Sequence, residues 1–224
     1  MTTRVVCVLP AFNVAPTLGA VSVGLRESLP GATLIVVDDG SADETAAVAA
    51  RCCDDVLALG RNRGKGVALR AGFARALEAG AEIVITVDAD GQHDPTRAPA
   101  LLAALDAADL ALGARARDAA AMPLRRRLTN ALASAAVGAI AGAPVPDAQS
   151  GFRAIRRSVL EQVRAEGDRY EYETDLLIRA LRAGFRVVAV PIPTIYGPRS
   201  HFRGLTDSVR VVRTIWRHRV GAIP

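Results

Sequence analysis

Thr86-Val87-Asp88-Ala89-Asp90-Gly91-Gln92-His93-Asp94-Pro95 closes an apolar run, Ile83 to Val87, with two carboxylates. The run reads as a strand buried on both faces of a parallel sheet. In open α/β sheets ligands sit outside the carboxyl ends of strands, where Asp88 and Asp90 fall. With Ala89 between them, the two side chains converge on one ion in a turn but not in a rigid strand. With the amide oxygen of Gln92 they make a hard oxygen set suited to Mg2+ or Mn2+. Mg2+ takes one or two carboxylates and completes its shell with substrate phosphates. The alternative is a polar turn with an Asx cap before the helix that Pro95 opens.

Working outward, strands and helices alternate. Strands are expected at Val5 to Leu9, Leu34 to Val37, Val56 to Leu59 and Leu110 to Leu112. Helices are expected from Pro16 to Ser28, from Ser41 through Arg51, from the Gly60 to Gly66 loop to Ala79, and from Pro95 to Ala107. Ser41 with Glu44 reads as a capping box. This βαβ spacing predicts an α/β fold: a mostly parallel, doubly wound sheet flanked by helices. Beyond Gly113 lie an arginine-rich loop, an Ala-rich helix from Leu124 to Ala141, a helix from Glu173 to Ala183 and a strand from Val187 to Val190. Leu205 to Val220 reads as a basic amphipathic helix. At 224 residues the chain is expected to form one domain.

Composition narrows the partners. Half the residues are hydrophobic and 4% aromatic, so the core is built from Ala, Val, Leu and Ile. Lys and Arg number 28 against 23 Asp and Glu, and the isoelectric point near 9.7 favours an anionic partner. Few aromatics interleave with the basic clusters, which argues against nucleic acid. Cys7, Cys52 and Cys53 show no metal spacing and suit a reducing compartment. Neither a signal peptide nor an apolar run of about 18 residues is read.

Asn13, Asp38-Asp39 and Asp88/Asp90 fall on one edge if the strands run parallel. An aspartate at a strand end can meet a ribose hydroxyl, whereas helix capping covers Asp43 or Asp94 better than the doublet. Arg61-Asn62-Arg63-Gly64-Lys65-Gly66 puts cations and bare backbone at a helix N-terminus, a phosphate-binding combination or else a tight turn with solvated arginines.

Pro10-Ala11-Phe12-Asn13, Asp38 to Ser41, Asn62 to Gly66 and Asp88 to Pro95 together resemble glycosyltransferase family 2. Asp147 to Arg153, Tyr170 to Ala180 and Pro191 to Gly197 extend the resemblance to the dolichyl- or polyprenyl-phosphate sugar (mannose or glucose) synthases. The resemblance implies a single GT-A domain, with 1–112 as its nucleotide-binding half and 113–224 as its acceptor half, and transfer, with inversion, from a GDP-mannose or UDP-glucose type donor to a polyprenyl phosphate. It implies that Pro10, Ala11, Asn13, Asp38, Asp39, Lys65, Asp88 and Ala89 hold the nucleotide sugar. Asp88, Asp90 and Gln92 would hold Mg2+ or Mn2+. Arg115, Arg117, Arg126, Arg127, Ser134 and Arg153 would meet the acceptor phosphate. Asp90, Asp147 and Glu173 stand as the catalytic candidates. Val14 and Ala15 depart from the family, which often has Glu there. The transmembrane tails of many members have no counterpart, so a cytoplasmic protein peripheral at the inner membrane face, or held by a membrane partner, is expected.

A phosphate monoester is largely dianionic at neutral pH and needs no strong base. A hydroxyl acceptor would need one, with Asp147, Glu171 or Glu173 as candidates. Sugar nucleotidyl transfer is a weaker alternative, since no glycine-rich loop follows the first strand.

Overall fold

The computed structural model describes residues 3–115, 133–140, 142, 145, 147–193 and 204–220, with side chains in the last segment described for 210–218. Among the described residues seven strands form one sheet: β1 (Val5–Ala11), β2 (Thr33–Asp38), β3 (Asp55–Ala58), β4 (Ile83–Thr86), β5 (Leu110–Arg115), β6 (Arg153–Arg156) and β7 (Val187–Ile192). Their order is β3-β2-β1-β4-β6-β5-β7, and only β6 runs against its neighbours. The mostly parallel sheet is as expected, but β6 was not read from sequence.

β1 is central because its alternate residues are apolar on both faces. Val6 and Val8 pack with Ile35, Val37 and Val84 against Leu69 and Phe73 of α3 (Lys65–Glu78) and Leu176 of α7 (Glu171–Arg182). Cys7 and Leu9 face the other way, onto Leu18 and Leu25 of α1 (Ala15–Ser28) and Leu101 of α4 (Ala98–Ala104). The sheet is thus covered on both sides. Gly72 lets α3 lie close to β1, since a Cβ there would stand 2.3 Å from Val8 Cγ1. Pro10, with no N–H, lies past Val8, the last residue of β1 in register with β4.

Two helix starts differ from the sequence reading. Ser41 does not cap α2 (Thr45–Cys52): its N–H and hydroxyl both turn back to Asp38 Oδ1, at 3.0 and 2.5 Å. Asp43 serves Thr45 instead, accepting from its N–H at 3.0 Å. The helix expected from Pro95 begins as a 3-10 turn, Pro95–Arg97, with Asp94 accepting from Thr96 N at 3.0 Å. Residues 133–140 are helical (α5), while 124–132 of the expected Ala-rich helix lie outside the described residues. α6 (Arg157–Gln162) follows β6, and α8 (Gly204–Val220) packs on α7.

The antiparallel β6 positions the site. Arg153 stands opposite Thr86, so the start of β6 lies at the carboxyl end of β4. The segment 147–152 is thereby brought beside Asp88. Strand β6 then runs away from the site, and the chain returns through 163–170 to start α7 at the same edge.

Candidate active site

β1, β2 and β4 are parallel, so Asn13, Asp38, Asp39 and Asp88 do share one edge. Most of these polar groups are engaged with the protein. Asn13, at φ 53°, accepts from Ala42 N through Oδ1 at 2.8 Å. Asp38 is held by Ser41. Asp39 accepts from Arg63 N at 2.6 Å and Gly64 N at 2.8 Å. Gly64 takes φ +105°, and a Cβ there would stand 2.3 Å from Asp168 O. Asp168 O in turn accepts from Gly66 N at 2.8 Å and Val67 N at 3.3 Å. The loop expected to offer bare amides to phosphate therefore has Arg63, Gly64, Gly66 and Val67 satisfied internally. What it delivers to the site is the Lys65 side chain.

Lys65 Nζ lies 2.6 Å from Asp88 Oδ1 and 2.8 Å from Glu173 Oε2, with 13% of its side chain exposed. Burial works against the ammonium, but Asp88 and then Glu173 outweigh it and raise the Lys65 pKa. Burial likewise disfavours the Asp88 carboxylate, yet Lys65 and then His93 hold its pKa below the ordinary value. The Tyr170 ring centroid lies 5.6 Å from Nζ. Gly151 closes the cluster: a Cβ there would come within 2.5 Å of Asp88 Oδ2 and 2.8 Å of Lys65 Nζ. Only a glycine leaves that space.

Ala89 is buried and its carbonyl accepts from Thr17 Oγ1 at 2.7 Å, pinning the turn to α1. Asp90 Oδ1 accepts from Gln92 N at 3.0 Å, the Asx geometry of the alternative reading. Asp88 and Asp90 are both partly exposed. Among the described residues no three His, Cys, Asp or Glu side chains form a metal cage. Two hard carboxylates at one edge still fit Mg2+ or Mn2+, which keep substrate oxygens in their shell.

His93 is a site residue that sequence reading passed over. It is 4% exposed, with Nε2 at 3.9 Å from Asp88 Oδ2 and its ring 5.6 Å from Phe152. Burial lowers its pKa to about 4, so the ring is neutral near pH 7. Its place inside the Asp88 to Pro95 stretch was the available signal.

The expected acceptor residues divide. Arg115 donates from Nε to Asp147 Oδ2 at 2.7 Å and from Nη2 to Oδ1 at 3.0 Å, a two-pronged pair. Ser134 is buried and accepts from Ala148 N at 3.1 Å. Arg153, grouped with the phosphate ligands, is 1% exposed and turned inward. Its guanidinium donates to Ser150 O at 2.9 Å, Glu173 O at 2.8 Å and Ala148 O at 3.1 Å. It ties the 147–151 segment to the first turn of α7. Arg117, Arg126 and Arg127 lie outside the described residues. Glu171 Oε1 accepts from Asp168 N at 3.2 Å and Arg169 N at 3.3 Å.

A model of Glycosyl transferase family 2 matches residues 6–164. The polyprenol monophosphomannose synthase of Mycolicibacterium smegmatis is 34% identical over 204 residues, 85% of this chain and 77% of that protein. The undecaprenyl-phosphate mannosyltransferase of Micrococcus luteus is 33% identical over 200 residues, 84% and 82% of the two chains. Among solved structures, mannosyl-3-phosphoglycerate synthase from Rubrobacter xylanophilus is similar with a TM-score of 0.80 at 23% identity, covering 98% of this chain and 74% of that one. Glucosyl-3-phosphoglycerate synthase from Mycobacterium tuberculosis, in complex with Mn2+, UDP and glucosyl-3-phosphoglycerate, gives 0.76 at 23%, covering 96% and 80%. With the parallel edge, its acidic strand ends and these likenesses together, the chain belongs to glycosyl transferase family 2 and is a glycosyltransferase of GT-A fold.

Proposed function

We propose that the protein transfers a hexose, with inversion and with a divalent metal, from a GDP-mannose or UDP-glucose type donor to a polyprenyl phosphate. The observation that carries this reading is the state of the three candidate bases. Asp147 is engaged at both oxygens by Arg115, while Glu173 pairs through one oxygen with Lys65 and Glu171 accepts through one oxygen from two amides. A hydroxyl acceptor needs a group to take its proton, while a phosphate dianion does not. The two relatives named for polyprenyl and undecaprenyl phosphates support the same acceptor class.

Asp88 and Asp90, with Gln92, would hold Mg2+ or Mn2+, which when bound supplies charge neutralisation to the leaving diphosphate. Lys65 adds a largely buried cation beside it. Pro10, Ala11, Asn13, Asp38, Asp39 and Ala89 form the edge on which the nucleotide would lie. Arg115, Arg117, Arg126 and Arg127 would orient the acceptor phosphate through paired N–H donors. An oxygen of that phosphate forms the bond to the anomeric carbon. The bond from that carbon to the diphosphate breaks, and its electron pair leaves with the nucleoside diphosphate.

The test combines binding and transfer. UDP- and GDP-sugars are screened for thermal stabilisation with and without Mn2+, since a ligand of the native state raises its apparent stability. One donor should stabilise only with metal, and Asp90→Ala should abolish that shift while melting cooperatively. Labelled hexose should then enter the organic phase with a polyprenyl phosphate. Transfer to free sugars but never to the lipid phosphate would overturn the acceptor assignment.

The same reading puts the protein at the cytoplasmic face of a membrane, as a peripheral protein. No described helix is long and apolar enough to cross one. α8 offers a surface: Val211 and Thr214 are buried, while Val212 and Trp216 are 63% and 61% exposed beside exposed Arg210, Arg213 and Arg217. An exposed apolar pair flanked by arginines suits an anionic leaflet, at about 1 kcal/mol per basic residue. Co-sedimentation with anionic vesicles should weaken with salt and fall in Trp216→Glu. Failure of the folded protein to bind at low salt would leave a membrane partner as the anchor.

A further inference from the structure

One ammonium serves two carboxylates in this site. Lys65 Nζ lies 2.6 Å from Asp88 Oδ1 and 2.8 Å from Glu173 Oε2, so the trio carries one net negative charge. The two acids are not equivalent. The Asp88 side chain is 27% exposed and that of Glu173 is 5% exposed, so Lys65 has an outer partner and an inner one. Asp88 Oδ2 faces His93, whereas Glu173 Oε1 is buried with no hydrogen-bond partner among the described residues. Buried acceptors are ordinarily satisfied, so an open oxygen beside a lysine calls for a use.

The inner partner is held firmly. Glu173 sits in the first turn of α7, and Arg153 Nη1 holds its carbonyl at 2.8 Å. Lys65 begins α3, whose first turn is fastened to Asp168 O. Neither backbone is free to retreat. Asp88 is also the carboxylate assigned to the metal, and an ammonium on its Oδ1 opposes a second cation there.

Resting on that metal assignment, we propose that Glu173 is a positioning residue that receives Lys65 when a divalent cation occupies Asp88. Nζ releases Asp88 Oδ1 and takes the open Oε1 of Glu173 while keeping Oε2. No proton moves and no covalent bond forms. Lys65 stays charged and close to the diphosphate instead of swinging into solvent. Asp88 is neutralised without the metal and available to it. Glu173 then serves the reaction with both oxygens on an ammonium, which is the opposite of a general base.

The test reads Mn2+ affinity without donor, from the electron paramagnetic resonance of the free ion, so turnover is not needed. Glu173→Gln leaves Lys65 only Asp88 to pair with, and Mn2+ affinity should fall about tenfold, a loss in the range seen between coupled sites. Glu173→Asp keeps the charge but withdraws it by one methylene, and affinity should fall severalfold. Lys65→Met removes the competing cation and should raise affinity. In that background the Glu173→Gln effect should shrink about fivefold, because the two residues act as a coupled pair. An effect of Glu173→Gln that is undiminished in Lys65→Met would show that its charge acts alone, and overturns the hand-over. Wild-type affinity in Glu173→Asp overturns it too, and decides the matter should Glu173→Gln fail to melt cooperatively. Asp88→Asn separates the two levels. Unchanged Mn2+ affinity there sinks the metal assignment itself, while a loss there with wild-type affinity in Glu173→Gln sinks only the hand-over.

Discussion

The two sides of the site use charge differently. On the side built from β1, β2 and the loop after β2, carboxylates bind backbone amides. Asp38 takes Ser41, Asp43 takes Thr45 and Asp39 takes two amides of the 63–64 turn. On the side built from 147–153 and α7, Glu171 apart, cations meet carboxylates or carbonyls: Arg115 with Asp147, Lys65 with Glu173, Arg153 with three carbonyls. Asp88 is the described residue where the two sides meet. An acid at a strand end is therefore no guide to its use until its partner is known. Backbone amides make it a turn builder, and a cationic side chain makes it part of the site.

That contrast can be broken at Arg153, where the largest effect is expected. Truncation to Ala strands three buried carbonyls and leaves a cavity, costing about 4 kcal/mol in urea unfolding. A normal unfolding curve with lost acceptor affinity would return Arg153 to the ligand-binding side.

His93 sharpens it by pH. Its folded pKa, about 4, lies below the unfolded value of 6.5, so the unfolded chain binds the extra proton first. The stability contribution is intact above pH 6.5 and is lost as pH falls toward 4, by roughly 3 kcal/mol in the metal-free protein. His93→Gln should flatten the slope of melting temperature between pH 6.5 and 4.5; an unchanged slope would place the titration elsewhere.

Asp39 tests the turn-building side. Asp39→Ala removes the acceptor for two amides, and about 2 kcal/mol should be lost. Faster hydrogen exchange at Arg63 and Gly64 is the signature; slow exchange there would mean the turn stands without it.

The smallest effect is expected at the α7–α8 contact. His218 Nε2 lies 2.6 Å from Asp175 Oδ1, and Arg179 Nε reaches Asp175 Oδ2 at 2.6 Å. Because Arg179 remains, His218→Ala should cost about 1 kcal/mol. A loss as large as at Arg153 would make this contact an organising one.

Legibility followed the same division. The donor-side strands carry apolar runs of four or more residues bounded by Asp, Gly or Pro, and they lie within about two residues of their expected ends. β6 is Arg-Ala-Ile-Arg, a strand with a cation at each end and no apolar run, so periodicity does not expose it. Its arginines are accommodated by carbonyls: Arg156 Nη2 donates to Leu105 O at 2.6 Å. Backbone acceptors have no residue type, so a buried arginine and a ligand-seeking one look alike in sequence. The capping box at Ser41 failed for a related reason, since the Asn13 N–H, 28 residues earlier, donates to the hydroxyl oxygen at 2.9 Å and occupies the acceptor a cap would use. Lys65, Asp88 and Glu173 were each singled out, but their meeting depended on where β6 turns the chain.

That antiparallel strand also sets an order of events as the chain is made. β1 to β4 pair among themselves and are complete by residue 86. β5 is synthesised by residue 115, yet its partners are β6 and β7, which begin at 153 and 187. During that interval one side of β4 is an open apolar edge, and β5 has nothing to pair with. Such an edge is where nascent chains associate wrongly. Ribosome-stalled fragments ending near residue 120 should therefore bind a holdase chaperone more than full-length chains do, and equal binding would show that the edge is covered some other way.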